Sequence, residues 1–550
     1  MSCVEARRPP QYRPEAQVIA RWRDVGAWSD LTLEQAFARA ASLHPDVVAT
    51  FHSSSRPASS KLDQTRRDAL RVAAALQRLG VRPGDVVALQ VPTWLESAWL
   101  VCAAAALGVV IMPLTHILGP ADVSYVLRES RARLLVMPDR WRNIDYLERL
   151  ANVEKPPTLE HTIIIGDHEG QLPPNGLLWK DVLEDAGDFK APIVHPDDPA
   201  VLLYTSGTTA APKGVQHTSR TLLAEMYTMG AARADPRMSS LAPWPAGHIA
   251  GLLAILHFCI DAAATVFMDH WDANDAAMLI ERHRLGHMSA TPFHLISLLN
   301  AAEASGFDLG SLRDCMVGAA TVPAQLVARC DAAGIRTYKC YGSSEHPTVS
   351  VGHPSDPLKL RLETDGRPTV GTEVRIVDDF GRDLPSGAEG EVATRGPELF
   401  EGYQRADLNT QAFLPGGWFL TGDVGRLDLE GNLTITDRKK DIIIRGGENI
   451  SSRAVEDVLL RHPAIADAAA VAMPDPALGE RVCAFVVPRA ELGDTLAIAA
   501  LQEFFLRLGV AKQLTPERLI LVDELPRTAA GKVKKHELRT RLSDQAGTGR

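Results

Sequence analysis

Cysteine is scarce in this chain. The seven in 550 residues (Cys3, Cys102, Cys259, Cys315, Cys330, Cys340 and Cys483) are scattered, without the close pairs that a metal site or a disulfide framework needs. A stapled secreted scaffold is therefore excluded, and a reducing, cytoplasmic setting is the expectation. The first 30 residues mix arginine, proline and acidic residues and hold no apolar core of the kind a secretory leader carries. Long apolar runs are missing too: the longest, Ala98 to Leu114, is broken by Gly108 and Pro113 and falls short of a comfortable membrane span. It reads as a helix end followed by the strand Val109–Met112, so no stable membrane insertion is expected. Positive charge is outnumbered, with 58 Lys and Arg against 68 Asp and Glu, and a net charge of −10 argues against a nucleic-acid surface. No internal repeat or low-complexity tract is present.

What remains is an ordinary globular composition, 45% hydrophobic and 23% charged, in a chain long enough for two to four domains. A helical pattern runs from about Thr32 to Leu43. Thr65 reads as the N-cap of a second helix whose apolar positions Ala69, Val72, Ala73, Leu76 and Leu79 recur at helical spacing until Gly80. Strand and helix then alternate through Val86–Leu89, Ala98–Leu114, Ala121–Leu127 and Leu134–Met137, the pattern of a doubly wound α/β layer. From Gly371 short strands and tight turns predict a β-rich subdomain over about 366–437. Asp437-Arg438-Lys439-Lys440-Asp441 is a dense charge run of the sort found in a linker, and about 110 residues beyond it form a small α/β unit. The fold class expected is α/β: a large N-terminal domain over 1–437, a hinge at 438–441, and a small mobile C-terminal domain over 442–550.

Residues 202–218 carry the strongest chemical signal. The apolar run Val201–Tyr204 is followed by Thr205-Ser206-Gly207-Thr208-Thr209, and Lys213 lies six residues after Gly207. Such a loop can aim backbone N–H groups and hydroxyls at phosphate oxygens, with the lysine as a mobile point charge. The spacing is not that of a Walker loop, and a polar surface turn is the bland alternative. Four further segments strengthen the phosphate reading: Tyr341-Gly342-Ser343-Ser344-Glu345, Trp418-Phe419-Leu420-Thr421-Gly422-Asp423, Asp437-Arg438, and Pro526-Arg527-Thr528-Ala529-Ala530-Gly531-Lys532. Taken singly, Asp423 could be a turn residue, Glu345 a solvated acid and Lys532 one more lysine beside Lys534 and Lys535.

In this combination and order the chain resembles the adenylate-forming superfamily, which includes acyl- and aryl-CoA synthetases, firefly luciferase and the adenylation domains of peptide synthetases. The resemblance covers essentially the whole chain. It implies an enzyme that activates a carboxylic acid with ATP as an acyl adenylate, releases pyrophosphate, and passes the acyl group to the thiol of coenzyme A. Thr205, Ser206, Gly207, Thr208, Thr209 and Lys213 would hold the β- and γ-phosphates, and Glu345 would ligate Mg²⁺. Gly318-Ala319-Ala320 and Tyr341 match segments that contact adenine, Gly342 and Ser344 count among the cofactor-binding residues, and Asp423 and Arg438 match those that hold the ribose. Lys532 would reach the carboxylate and the α-phosphate. His248 stands where relatives carry a histidine beside the acyl carboxylate, although a lone histidine is more often structural. Trp244, Ala246, Gly247, Ala250 and Gly251 would wall the acid pocket; several are small, which suggests room for a bulky, alicyclic, aromatic or medium-chain acid. Lys440 is the implied pivot of the C-terminal domain, and Gly446, Gly447 and Glu448 the loop that would line the pantetheine channel.

Four points stay open at this level. Ala210 stands where the family pattern has glycine, which puts the adenylating half-reaction in question, while Ser344 in place of threonine keeps the hydroxyl. A carrier protein could replace coenzyme A as acceptor, or the enzyme could mainly thioesterify a preformed adenylate; a non-catalytic nucleotide-binding protein is the remaining alternative. Sequence does not decide between monomer and homodimer, nor does it name the acid.

Overall fold

The computed structural model describes residues 10–168, 170–184, 186–205, 212–232, 235, 237–445, 448–476, 478–489, 496–528 and 531–547. Its first half is organised by two large sheets. In the seven-stranded sheet Val86–Leu89 and Val110–Pro113 lie at the centre, flanked by Leu134–Pro138, His161–Ile165 and Gly176–Leu178 on one side and by Pro199–Thr205 on the other. All of these neighbours pair in parallel; Lys213–Thr218 closes the edge as an antiparallel partner of Pro199–Thr205. The second sheet has nine strands, and the run Arg336–Tyr341, Asp314–Val317, His287–Ala290, Ser240–Ala242, Thr265–Met268, Val48–His52 is parallel throughout. Four-residue strands such as Val86–Leu89 and Val110–Pro113 are wholly buried, as strands covered on both faces must be.

Local chemistry sets the helix limits. Thr32 caps Leu33–Leu43 through a capping box with Gln35. Leu95–Leu107 is apolar almost all round because it lies between other elements of the core, and it ends at Gly108 in the left-handed region. Thr65, by contrast, is not an N-cap: the helix starts at Leu62, and the Thr65 hydroxyl donates to the carbonyl of Lys61, 2.9 Å away, inside the first turn.

Glu373–Val377, Gly390–Arg395, Trp418–Leu427, Phe413–Leu414 and Leu433–Arg438 form one antiparallel sheet. Beyond residue 442 the strands Glu448–Ile450, Ile443–Arg445, Gly479–Pro488, Ile465–Asp475 and Arg518–Leu521 make a separate sheet with its own apolar core around Val455, Leu459, Ala470, Leu501 and Phe505. Among the described residues no helix is long and apolar enough to cross a membrane.

Candidate active site

In an open parallel sheet the carboxyl ends of the strands form the crevice where ligands bind. The nine-stranded sheet sends the segments starting at Pro243, Thr291, Gly318 and Gly342 out of that edge, which brings together residues up to 100 positions apart. Trp244 is buried and donates through Nε1 to the Ser289 hydroxyl at 3.3 Å, and its ring stacks on His248 with centroids 5.6 Å apart. His248 caps the helix Ile249–Asp261: its Nδ1 accepts the Ala250 N–H at 3.2 Å, which leaves the ring proton on Nε2. Burial, then the nearby Lys532 charge, lowers its pKa from 6.5 to about 4.

The β-rich sheet faces this edge with a tight polar cluster. Asp423 and Arg438 are directly paired across neighbouring strands, and Arg438 Nε lies 3.0 Å from Asp423 Oδ1. The Tyr341 hydroxyl donates to Asp423 Oδ2 at 2.7 Å. Burial, followed by the Asp423 charge, pushes the Tyr341 phenol well above its ordinary value, so it remains a donor. Gly342 follows at a point where a side chain cannot fit, since a Cβ would lie 1.9 Å from the carbonyl oxygen of Pro347. Ala319 adopts a left-handed backbone at φ 62°, between Gly318, which packs against Cys340, and Ala320.

Lys532 arrives from the C-terminal unit. Its turn is fastened by Thr528 N–H to the Lys532 carbonyl (2.8 Å) and by Arg527 to the Gly531 carbonyl (2.6 Å), and Gly531 packs close to Thr291 and Phe293. Burial, reinforced by the Arg438 guanidinium and partly offset by Asp423, lowers the Lys532 pKa from 10.5 to about 7. Burial and Arg438 also lower that of Lys440. Lys532, Arg438, Asp423, Tyr341 and His248 thus form one electrostatic group.

The remaining candidates divide. Thr205 and Lys213 face each other across the hairpin Pro199–Thr205/Lys213–Thr218. Ser206, Gly207, Thr208, Thr209 and Ala210 lie outside the described residues, as do Gly446 and Gly447. Glu448 is exposed on its strand, and Arg445, which precedes that loop, is engaged with Glu517 at 2.9 and 3.1 Å. The small pocket residues need a correction. A Cβ on Gly247 would lie 2.3 Å from the Leu114 backbone and one on Gly251 2.0 Å from the Pro245 oxygen, while Ala246 is buried with its N–H on the Thr93 hydroxyl. Their small size serves backbone packing and does not measure room for the acid. Ala250 is half-buried on the first turn of its helix.

Two residues escaped motif reading. His217 donates from Nε2 to the Ser344 carbonyl at 2.8 Å, and Tyr403 donates its hydroxyl to Glu345 Oε1, also at 2.8 Å. Tyr403 follows Gly402 between Glu401 and Gln404, a setting with no chemical signal of its own. No group of three or more His, Cys, Asp or Glu side chains among the described residues could form a metal cage by itself. A single carboxylate, Glu345, joined through Tyr403 to Lys213 at the end of the hairpin, is a donor of the kind Mg²⁺ takes, an ion that keeps few protein ligands.

The family model described as AMP-binding enzyme matches residues 37–404, and that of the AMP-binding enzyme C-terminal domain matches 454–532. The chain belongs to the AMP-binding enzyme family. Within it, this protein is 36% identical over 529 residues to a medium-chain fatty-acid–CoA ligase of Escherichia coli (strain K12), covering 94% of this chain and 92% of that one. It is 33% identical to a salicyl-AMP ligase / salicyl-S-ArCP synthetase of Mycobacterium tuberculosis, over 97% and 94% of the two chains. ATP-bound MatB from Rhodopseudomonas palustris superposes with a TM-score of 0.82 at 25% identity, over 94% of this chain and all of that one. This member is accordingly an adenylate-forming ligase of mixed α/β fold with a large N-terminal and a small C-terminal domain, in a family that uses ATP.

Proposed function

We propose that this protein is an ATP-dependent acid:coenzyme A ligase acting on an apolar carboxylic acid of medium-chain or aryl type. The observation that carries the reading is the convergence of Lys532 with Arg438, Asp423, Tyr341 and His248 at the carboxyl edge of the nine-stranded sheet. In the first step one oxygen of the acid attacks the α-phosphorus of ATP, the bond to the bridging oxygen of the β-phosphate breaks, and pyrophosphate leaves. Protonated Lys532 supports the negative charge that builds between carboxylate and α-phosphate. Asp423 accepts from the ribose hydroxyls and Arg438 holds that carboxylate in place. Thr205, Lys213 and the segment between them take the outgoing phosphates; Glu345 would hold Mg²⁺, which would supply positive charge against the phosphate oxygens. His248 presents an Nε2–H to the acid, while Trp244 supplies an aromatic wall.

The second step exchanges AMP for a thiol: the sulfur attacks the acyl carbon as its proton passes to solvent, and AMP leaves with the bonding electrons. Lys440 serves as pivot in the 438–441 hinge, so that Lys532 withdraws and the Arg445–Asn449 loop replaces it. Coenzyme A is favoured as acceptor by the 36% identity to a CoA ligase over nearly the whole chain. The relative whose name includes a carrier-loading activity keeps a carrier protein as the second reading. A panel of acids from acetate through decanoate to salicylate and fused-ring acids, each with ATP, Mg²⁺ and either coenzyme A or a phosphopantetheinylated carrier, tests both readings by mass spectrometry. Thioester on coenzyme A with a medium-chain or aryl acid is the expected result; thioester on the carrier alone overturns the acceptor assignment.

A further inference from the structure

We propose that Tyr403 is a positioning residue for the adenylating half-reaction, holding the Glu345 carboxylate and the Lys213 ammonium at a fixed separation. The inference rests on the adenylation reading above and concerns how its metal and phosphate ends are kept in register. Glu345 lies just beyond a strand of the nine-stranded sheet, and Lys213 starts the edge strand of the seven-stranded sheet. Tyr403 touches both. Its hydroxyl donates to Glu345 Oε1 at 2.8 Å, and the Lys213 Nζ stands 5.0 Å from the centroid of its ring. A charge-assisted hydrogen bond fixes one oxygen of the carboxylate and leaves Oε2 to face a metal; the π-face attracts the ammonium without neutralising it.

The tyrosine is itself tightly held. Its segment runs along the Lys213–Thr218 strand, with Gln404 N–H on the Gly214 carbonyl (2.8 Å) and Glu401 N–H on that of Gln216 (2.9 Å). Buried Asn409 accepts the Tyr403 N–H at 2.8 Å and donates to its carbonyl at 3.1 Å. Phe400 packs edge-on against the ring at 4.9 Å and gives its own N–H to the Glu345 carbonyl at 2.8 Å. The same short segment therefore grips the backbone and side chain of Glu345 on one side and the phosphate hairpin on the other. A residue needed only to fill space would not require the hydroxyl.

Tyr403→Phe keeps the ring and its contact with Lys213 but removes the donor, and Tyr403→Leu removes both. Binding of ATP to the full-length protein is titrated in the presence of Mn²⁺, followed by the Mn²⁺ electron paramagnetic resonance signal, and in EDTA, followed by calorimetry. Tyr403→Phe is expected to weaken Mn²⁺·ATP binding about tenfold and to leave metal-free ATP binding unchanged, whereas Tyr403→Leu weakens both. In turnover, the Mg²⁺ concentration for half-maximal pyrophosphate release rises in Tyr403→Phe, while thioester formation from supplied acyl adenylate and coenzyme A stays within about twofold of wild type. Wild-type Mn²⁺·ATP affinity in Tyr403→Phe, with loss confined to the thermal midpoint, would overturn the proposal in favour of simple packing. Should the wild-type protein release no pyrophosphate with any acid, the adenylation reading fails, and the Mn²⁺·ATP titration still decides the role of Tyr403.

Discussion

Raising the pH should switch off capture of ATP by the free enzyme near neutrality, because the cation that adenylation needs is lost there. Lys532 has a pKa of about 7 against an ordinary 10.5, and its first cause is burial, its second the like charge of Arg438. At about 1.4 kcal/mol per unit, the difference corresponds to roughly 5 kcal/mol against charging the lysine in the docked, ligand-free site, an upper value since the side chain keeps some contact with solvent. The sign follows from the lowered pKa. Above about 7 the docked lysine is neutral, and the docked arrangement gains stability as the pH climbs toward 10.5. Below about 7 it is charged and bears the full cost, which the phosphates of bound ATP offset. The kcat/KM for ATP in pyrophosphate release should therefore fall about tenfold per unit above an inflection near pH 7, while kcat, set by the complex in which phosphate raises the pKa again, holds to higher pH. Lys532→Arg keeps a permanent charge and should lose the inflection at a reduced rate. Lys532→Ala should lose about a hundred- to a thousandfold in kcat/KM below the inflection, the gap to wild type narrowing above it. An inflection near 7 that survives in Lys532→Arg, or a flat wild-type kcat/KM profile to pH 9, would refute the reasoning.

Asp423→Asn keeps an acceptor for Tyr341 but removes the charge opposite Arg438; the KM for ATP should rise about tenfold or more and the pH inflection move downward, because the Asp423 charge, with that of Asp441, partly offsets the lowering of the Lys532 pKa by burial and Arg438. An unchanged KM would remove Asp423 from the ribose site. Gly342→Ala drives a Cβ to 1.9 Å from the Pro347 oxygen, and chemical denaturation should show a loss of about 2 kcal/mol or more together with weakened ATP binding. Arg220, buried beneath Trp28 and paired with Asp30 (2.8 Å) and Asp197 (2.6 Å), holds the N-terminal segment to the helix Ser219–Ala232. Its replacement by Ala should cost about 2–3 kcal/mol in denaturant unfolding while leaving KM values unchanged, the opposite pattern from Asp423→Asn.

Much of this architecture was legible in the sequence, because it depends on short-range signals. Val86–Leu89 is bounded by a tight turn, Gly108 ends a helix in the left-handed region, and Thr32 with Gln35 makes a capping box; each acts within a few residues. Thr65 misled for the same reason: it looks like a cap, yet tertiary packing starts the helix a turn earlier at Leu62. The charged run at 437–441 reads as a linker, but its partners are not legible there: Asp437 and Asp441 are buried, the first against Ser452 (3.1 Å) and the second against Arg539 (2.6 Å). Those partners lie 15 and 98 residues away, beyond any periodicity. Gly247 and Gly251 suggest an open pocket only while the backbone that fills the space beside them is unknown. Tyr403 and His217 were invisible to motif reading because their meaning is a distance across two sheets, and a tyrosine after a glycine has no chemical signature of its own.

One exchange measurement tests adenylation by this protein most directly. With a carboxylic acid, ATP, Mg²⁺ and labelled pyrophosphate, and with no coenzyme A, acyl adenylate formation runs backward and forward and places label in ATP. The convergence of Lys532, Asp423, Arg438 and Glu345 on one site predicts exchange that depends on a medium-chain or aryl acid and collapses in Lys532→Ala. Absence of exchange with every acid, in a protein that still converts supplied acyl adenylate and coenzyme A to thioester, would contradict it and leave only the thioester-forming half.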